Sequence, residues 1–178
     1  SDAQSAVSLI RLQIERGVDV SATLHEAISF YPTHLSLQWI KATAALESGD
    51  TAVAGPLLER LAAIDPDTFF DLDVAYDKAI FRHLAKEALA LCRFREGRFK
   101  EAATLYRLAA KQSPDREACE IKARLAEALQ SPTLEAYRPV IEEFVFGALT
   151  PDRLITRVWE PLAAPTRSST PRQMKNGA

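Results

Sequence analysis

Glycine is scarce in this chain, with 6 among 178 residues, and aromatic side chains make up only 8%. That poverty argues against a sheet protein, whose strands draw on aromatics and whose turns draw on glycine. Only two cysteines occur, Cys92 and Cys119, 27 residues apart, with no Cys-x-x-Cys and no histidine pair beside them. A disulfide framework or a zinc site therefore has no footing, and buried reduced thiols are expected. Neither sign of charge dominates: 22 Lys and Arg face 24 Asp and Glu, a formal charge of −2. This removes any general attraction to nucleic acid or to an anionic membrane surface. No apolar stretch approaches the ~18–20 residues that span a bilayer, and the N-terminus lacks a charged region followed by an apolar core. The expectation is a cytoplasmic protein without membrane insertion and without a nucleic-acid partner. The chain starts at Ser1 rather than Met, which leaves room for a preceding segment or domain.

What the chain has in quantity is alanine and leucine, within a hydrophobic content of 47%. That is helix-forming material. It also repeats. Leu35 to Thr68 reads LSLQWIKATAALESGDTAVAGPLLERLAAIDPDT, and His83 to Arg116 reads HLAKEALALCRFREGRFKEAATLYRLAAKQSPDR; each is 34 residues long and they align without gaps. Alanine stands at the eighth position (Ala42, Ala90), glycine at the fifteenth (Gly49, Gly97) and alanine at the twentieth (Ala54, Ala102). A large residue follows at the twenty-fourth (Leu58, Tyr106), Leu or Ala at the twenty-seventh (Leu61, Ala109) and proline at the thirty-second (Pro66, Pro114). Small residues let two antiparallel helices approach, the glycine admits the left-handed conformation that ends the first helix, and the proline closes the second.

This pattern resembles the tetratricopeptide repeat. The resemblance implies an all-α fold, a right-handed helical solenoid of antiparallel helix pairs, with a capping helix region at the C-terminal end. One helical domain is expected over 1–162: a degenerate repeat at about 1–34, repeats at 35–68 and 83–116, and a cap over 117–162. The first copy carries Ala27 and Pro32 in phase with Leu61 and Pro66, but its turn glycine, Gly17, comes two residues late. The second and third copies place Gln38, Lys41 and Lys86 where apolar residues are wanted, so the first helix of the second repeat is in register or slipped by one residue. Pro66 and Pro114 are 48 residues apart instead of 34, which marks residues 69–82 (FFDLDVAYDKAIFR) as an insert with helical spacing.

Glu117 to Gln130 predicts a helix, and Ser131-Pro132 a further helix start, with Pro139 kinking that helix or delaying its beginning. Leu134, Tyr137, Val140, Ile141, Phe144, Val145 and Leu149 form its apolar stripe, and Pro151 to Leu162 supplies one more packing element. From Ala163 onward the sequence APTRSSTPRQMKNGA offers little to bury, so 163–178 is expected to be a disordered tail.

Chemistry-bearing constellations are thin. Asp65, Asp67, Asp71, Asp73 and Asp77 crowd together, yet the turn glycine and closing glutamate of a calcium loop are missing, and helix-start and solvent-face roles are expected. His25, His34 and His83 are scattered, with no partner at a spacing that suggests a nucleophile or a metal. There is no glycine-rich phosphate loop. No catalysis, no cofactor and no metal are expected.

What the repeat resemblance implies is protein binding. In that family the first helices of successive repeats line a concave groove through positions two, five, nine, twelve and thirteen. These correspond to Ser36, Trp39, Thr43, Leu46 and Glu47, and to Leu84, Glu87, Leu91, Phe94 and Arg95. Trp39 is a groove anchor or, if the helix is slipped, a core residue. Lys78, Arg82, Arg93, Arg95 and Arg98 suggest a basic rim, so the expected partner is an apolar or mildly acidic peptide or helix. With a single Asn, Asn176, the carboxylate-clamp chemistry of some family members is missing. A looser resemblance links residues 73–114 to the helical-repeat region of bacterial family-2 glycosyltransferases. It implies an alternative role as an acceptor-docking or homodimerisation module of a modifying enzyme.

Overall fold

Gly17, Gly49 and Gly97, with φ of 68°, 82° and 77°, are the only residues of positive φ among those described. Each ends a helix in the same way. The glycine N–H donates three residues back (to Ile14, Leu46 and Phe94 at 2.9, 3.0 and 3.0 Å), and the next N–H donates five residues back (Val18 to Gln13, Asp50 to Ala45, Arg98 to Arg93, at 2.9, 2.8 and 2.8 Å). This is the Schellman arrangement, which satisfies the last carbonyls of a helix while reversing the chain within a few residues.

The computed structural model describes residues 2–69, 76–131 and 137–145. Among these the secondary structure is helical throughout: α1 (Ala3–Glu15), α2 (Ser21–Phe30), α3 (Leu35–Glu47), α4 (Thr51–Ala62), α5 (Ala85–Arg95), α6 (Phe99–Ala110), α7 (Arg116–Ala128) and α8 (Arg138–Val145). A π-helical segment, Ile80–Leu84, runs directly into α5. The protein is all-α, and no described helix is long and apolar enough to cross a membrane. Three of the helices start on aspartate caps. Asp2 accepts from the Ser5 N–H at 2.8 Å, Asp50 from Val53 at 3.1 Å and Asp115 from Ala118 at 3.1 Å.

The chain forms two units, Ser1–Ala136 and Tyr137–Ala178. In the first, each helix packs on its successor, and α3 also packs on α5. The residues that recur in the 34-residue alignment are the ones buried in the resulting core. Ala42 and Ala90, Ala54 and Ala102, Leu58 and Tyr106, and Leu61 and Ala109 are all at most 1% exposed. One cluster joins Val7, Ile10, Leu24, Ala27, Leu37 and Ile40 from α1 to α3, and another joins Leu61 to Ile80, Phe81 and Ala85. In the second unit the described residues are α8 and Tyr137 before it; Pro139 lies in the first helical turn, where a missing N–H costs nothing.

The register question in α3 has a physical answer. Leu37 and Ile40 are buried and Lys41 is exposed, while Gln38 is buried and donates from Nε2 to the Pro32 carbonyl at 2.8 Å. Lys86 is likewise reconciled with its position: its ammonium turns back onto the Phe81 and Arg82 carbonyls, both at 2.8 Å, beside the π segment. Burial holds Lys86 below the ordinary lysine range, against the opposing field of Asp65.

The insert is helical from Lys78 onward and lengthens the helix it precedes, whereas Phe69 and Tyr76 are outside any helix; residues 70–75 lie outside the described residues. The helical elements expected at 132–136 and 151–162, and the tail at 163–178, also lie outside them.

Candidate partner-binding surface

Polar side chains connect α3 to α5 and α5 to α7. Arg95 of α5 donates from Nη1 to the Leu46 carbonyl in the last turn of α3. Trp39, near the start of α3, packs on the same cluster as Leu84 and Ala85, at the start of α5. The two helices therefore lie side by side and run the same way. From α5, Glu87 reaches Lys122 of α7 at 3.8 Å and accepts from the Ser113 hydroxyl at 3.4 Å. Lys122 also stands 5.9 Å from the centre of the Tyr106 ring.

The expected groove residues divide into two sets. Trp39, Thr43, Glu87 and Arg95 are half-buried, with Trp39 and Thr43 on one stripe of α3 and Glu87 and Arg95 on α5. Trp39 is thus neither wholly groove nor wholly core: it packs on the cluster around Leu61 and Phe81 and is half-buried. The Thr43 hydroxyl is spent on its own helix, donating to the Trp39 and Ile40 carbonyls at 3.1 and 3.0 Å. Phe94 is fully buried against Phe99, ring centres 5.3 Å apart, and Leu46 and Leu91 are buried as well. Those three are buried in packing: the glycine turns at Gly49 and Gly97 fold α4 back on α3, which carries Leu46, and α6 back on α5, which carries Leu91 and Phe94.

The expected basic rim is corrected more strongly. Arg93 is only 7% exposed and pairs with Glu59 of α4, with Glu96 at 2.9 Å and with Glu101 at 3.9 Å. Arg98 holds Glu101 at 2.5 Å and Glu96 at 3.2 Å, Arg82 meets Asp67 at 3.4 Å, and Arg95 caps α3. Of the five cations, Lys78 alone is exposed without such an engagement among the described residues. Burial works to raise the Glu96 carboxyl, but the hydrogen bonds and charge of Arg93 and Arg98 outweigh it and hold the group below the usual range. Within this set it is Arg93 that ties α4, α5 and α6 together.

Two surfaces went unnoticed in the sequence. Between α6 and α7 a cleft of about 540 Å³ is lined by Arg107, Ala110, Lys111, Arg116, Glu120 and Arg124. Its signal was the spacing of cations four and eight apart on consecutive helices. Between α1 and α2 a smaller apolar cleft of about 260 Å³ is bordered by Leu9, Ala27, Phe30 and Tyr31, with Phe30 70% exposed.

The other residues singled out for their chemistry are spread through the fold. Cys92 and Cys119 are free and buried, and burial pushes both thiols up to about 11, far from a reactive thiolate. Asp65 accepts from the Asp67 N–H at 3.0 Å and Asp77 from Ala79 at 2.9 Å, while Asp71 and Asp73 lie outside the described residues. His25 is exposed, whereas His34 and His83 are buried in separate elements. No group of three or more His, Cys, Asp or Glu residues among the described ones could hold a metal ion. No family model matches the chain, and neither a curated protein nor a solved structure matches it significantly.

Proposed function

We propose that this protein is a tetratricopeptide-like right-handed solenoid that serves as an interaction scaffold, binding a peptide or helix of a partner protein along the row α3, α5 and α7. The observation that carries this reading is the equivalence of the repeat units. Three glycine turns share one hydrogen-bond pattern, the aligned small residues are all buried, and α3 lies beside α5 with α7 joined through Glu87. Stacked helix pairs present their first helices as one continuous face, which suits an elongated ligand. Half-buried Trp39 is the anchor in this reading, with half-buried Thr43, Glu87 and Arg95 on the same two helices. No step of this function draws on a catalytic group, cofactor or metal.

The test uses the full chain carrying Trp159→Phe, which leaves Trp39 as the sole tryptophan. Peptides selected from a displayed random library should change Trp39 emission on binding and lose affinity on Thr43→Lys, which adds bulk and charge without removing a core side chain. Selected peptides that bind Thr43→Lys undiminished and leave Trp39 emission unchanged reject this face.

One observation favours self-association as a second reading. Leu9, Leu12, Ile14, Val18 and Phe30, five of the seven exposed large apolar residues among those described, fall on α1, α2 and their connecting turn. Apolar surface concentrated in this way marks an interface more often than a free monomer surface. Light-scattering mass should rise with concentration and revert to the monomer value in Phe30→Glu; a constant monomer mass rejects dimerisation.

A further inference from the structure

We propose that the cleft between α6 and α7 is a docking site for a carboxylate-rich peptide segment of a partner protein. It shares α7 with the row formed by α3, α5 and α7 but none of the side chains named for that surface. Four cations line it, Arg107, Lys111, Arg116 and Arg124, against the single lining carboxylate of Glu120. Two arginines are already seated on carboxylates. Arg107 grips Glu127 through both terminal nitrogens, at 2.5 and 2.7 Å, and Arg116 donates to Glu120 at 2.8 Å. Lys111 and Arg124 make no ion pair with the described residues, and both are exposed. The cleft thus holds two uncommitted cations in a chain whose overall charge is −2.

The occupant follows from what stands among those cations. Glu120 and Glu127 alternate with the arginines along α7. A continuous row of phosphates laid over them would meet like charge at every turn, whereas a peptide can place its carboxylates singly, over Lys111 and over Arg124. Arg107 and Arg116 are neutralised by Glu127 and Glu120, which leaves the charges of Lys111 and Arg124 to draw in the carboxylates of a peptide. Ala110 in the lining leaves room for a small apolar side chain between two acidic ones.

The experiment measures fluorescence anisotropy of a labelled peptide of alternating glutamate and alanine, titrated with the full chain. A glutamine–alanine peptide and a labelled oligothymidylate serve as the other arms. The glutamate peptide should bind with an affinity that falls as salt rises, the glutamine peptide should not bind, and Lys111→Glu with Arg124→Glu should weaken binding about tenfold or more. Both residues are exposed, so the double variant should keep wild-type helicity, which circular dichroism verifies. Thr43→Lys on α3 should leave this binding unchanged, which separates the cleft from the other surface. The proposal is overturned by absent binding, by undiminished affinity in the folded double variant, or by loss in Thr43→Lys alone. Oligothymidylate binding as tightly as the acidic peptide also overturns it, since the cleft would then read polyphosphate chains.

Discussion

At the scale of single residues, glycine is used in two distinct ways, and the two respond differently to alanine. Gly49 and Gly97 hold positive φ, with open space where a Cβ would stand, so their cost on substitution is conformational alone. Gly49→Ala and Gly97→Ala should each destabilise by about 1–2 kcal/mol in urea unfolding. Gly55 is an ordinary helical residue of α4, at which a Cβ would lie 3.4 Å from Arg93 Nη1 and 3.6 Å from Cys92 Sγ. Contact at that distance is tolerable, and the gain in helix propensity is offset where the new Cβ meets the ring of Pro56, so Gly55→Ala should be close to neutral; a loss comparable to that of Gly49→Ala would show that neither the Pro56 ring nor α5 can give way. The turn glycines were legible in the sequence because their role is local. Arg93 and Arg95 were not: within one helix they look like surface cations, and nothing short of the folded chain reveals the Glu59 carboxylate or the Leu46 carbonyl that receives them.

Among the elements, the junction of α4, α5 and α6 depends on Arg93. Removing its side chain leaves Glu59, Glu96 and Glu101 facing one another, two of them more than half exposed and so partly screened. Arg93→Met retains the stem packing and should still cost about 1–2 kcal/mol by urea unfolding; a midpoint equal to wild type would assign the cluster no role in holding the helices. The same junction gives the protein its acid response. Glu96 titrates below its usual 4.5 in the folded state, so the stability it contributes is present above that value and is lost as pH falls through the depressed folded one. Asp2, Asp19 and Asp65, held down chiefly by hydrogen bonds, act in the same direction. The urea midpoint should be flat between about pH 7 and 5 and decline below about 4.5, with a shallower decline in Glu96→Gln. The helices themselves were legible from periodicity, including the extension of α5 into the insert. The π segment was not, since its extra residue per turn arises where Lys86, Phe81 and Arg82 are accommodated together.

For the molecule as a whole, the apolar clusters among the described residues follow the chain order, one shared by α1, α2 and α3, one shared by α4, the π segment and α5 with Trp39 of α3 packed on it, and one where α6 meets α7. A chain of local clusters opens from its ends inward. Amide exchange should therefore be fastest in α1 and slowest in α4 and α5; uniform protection across α1 to α7 would mean a single cooperative unit. The repeat was legible because a 34-residue period leaves small residues where helices must touch. The partner surfaces were less so, because exposure depends on which neighbour covers a helix face: Phe94 lost its place to Phe99, while Lys111 and Arg124 gained theirs from a packing that joins α6 to α7.

Two of the contacts that hold distant parts of this chain together end on main-chain oxygens: Arg95 on Leu46 and Cys92 on Thr51 at 3.6 Å. A main-chain acceptor is present whatever side chain stands there. Relatives of this protein should accordingly be held at position 46 only by the need for an apolar side chain that packs, while 95 stays fixed, so pairwise covariation would miss the bond that aligns the third helix with the fifth.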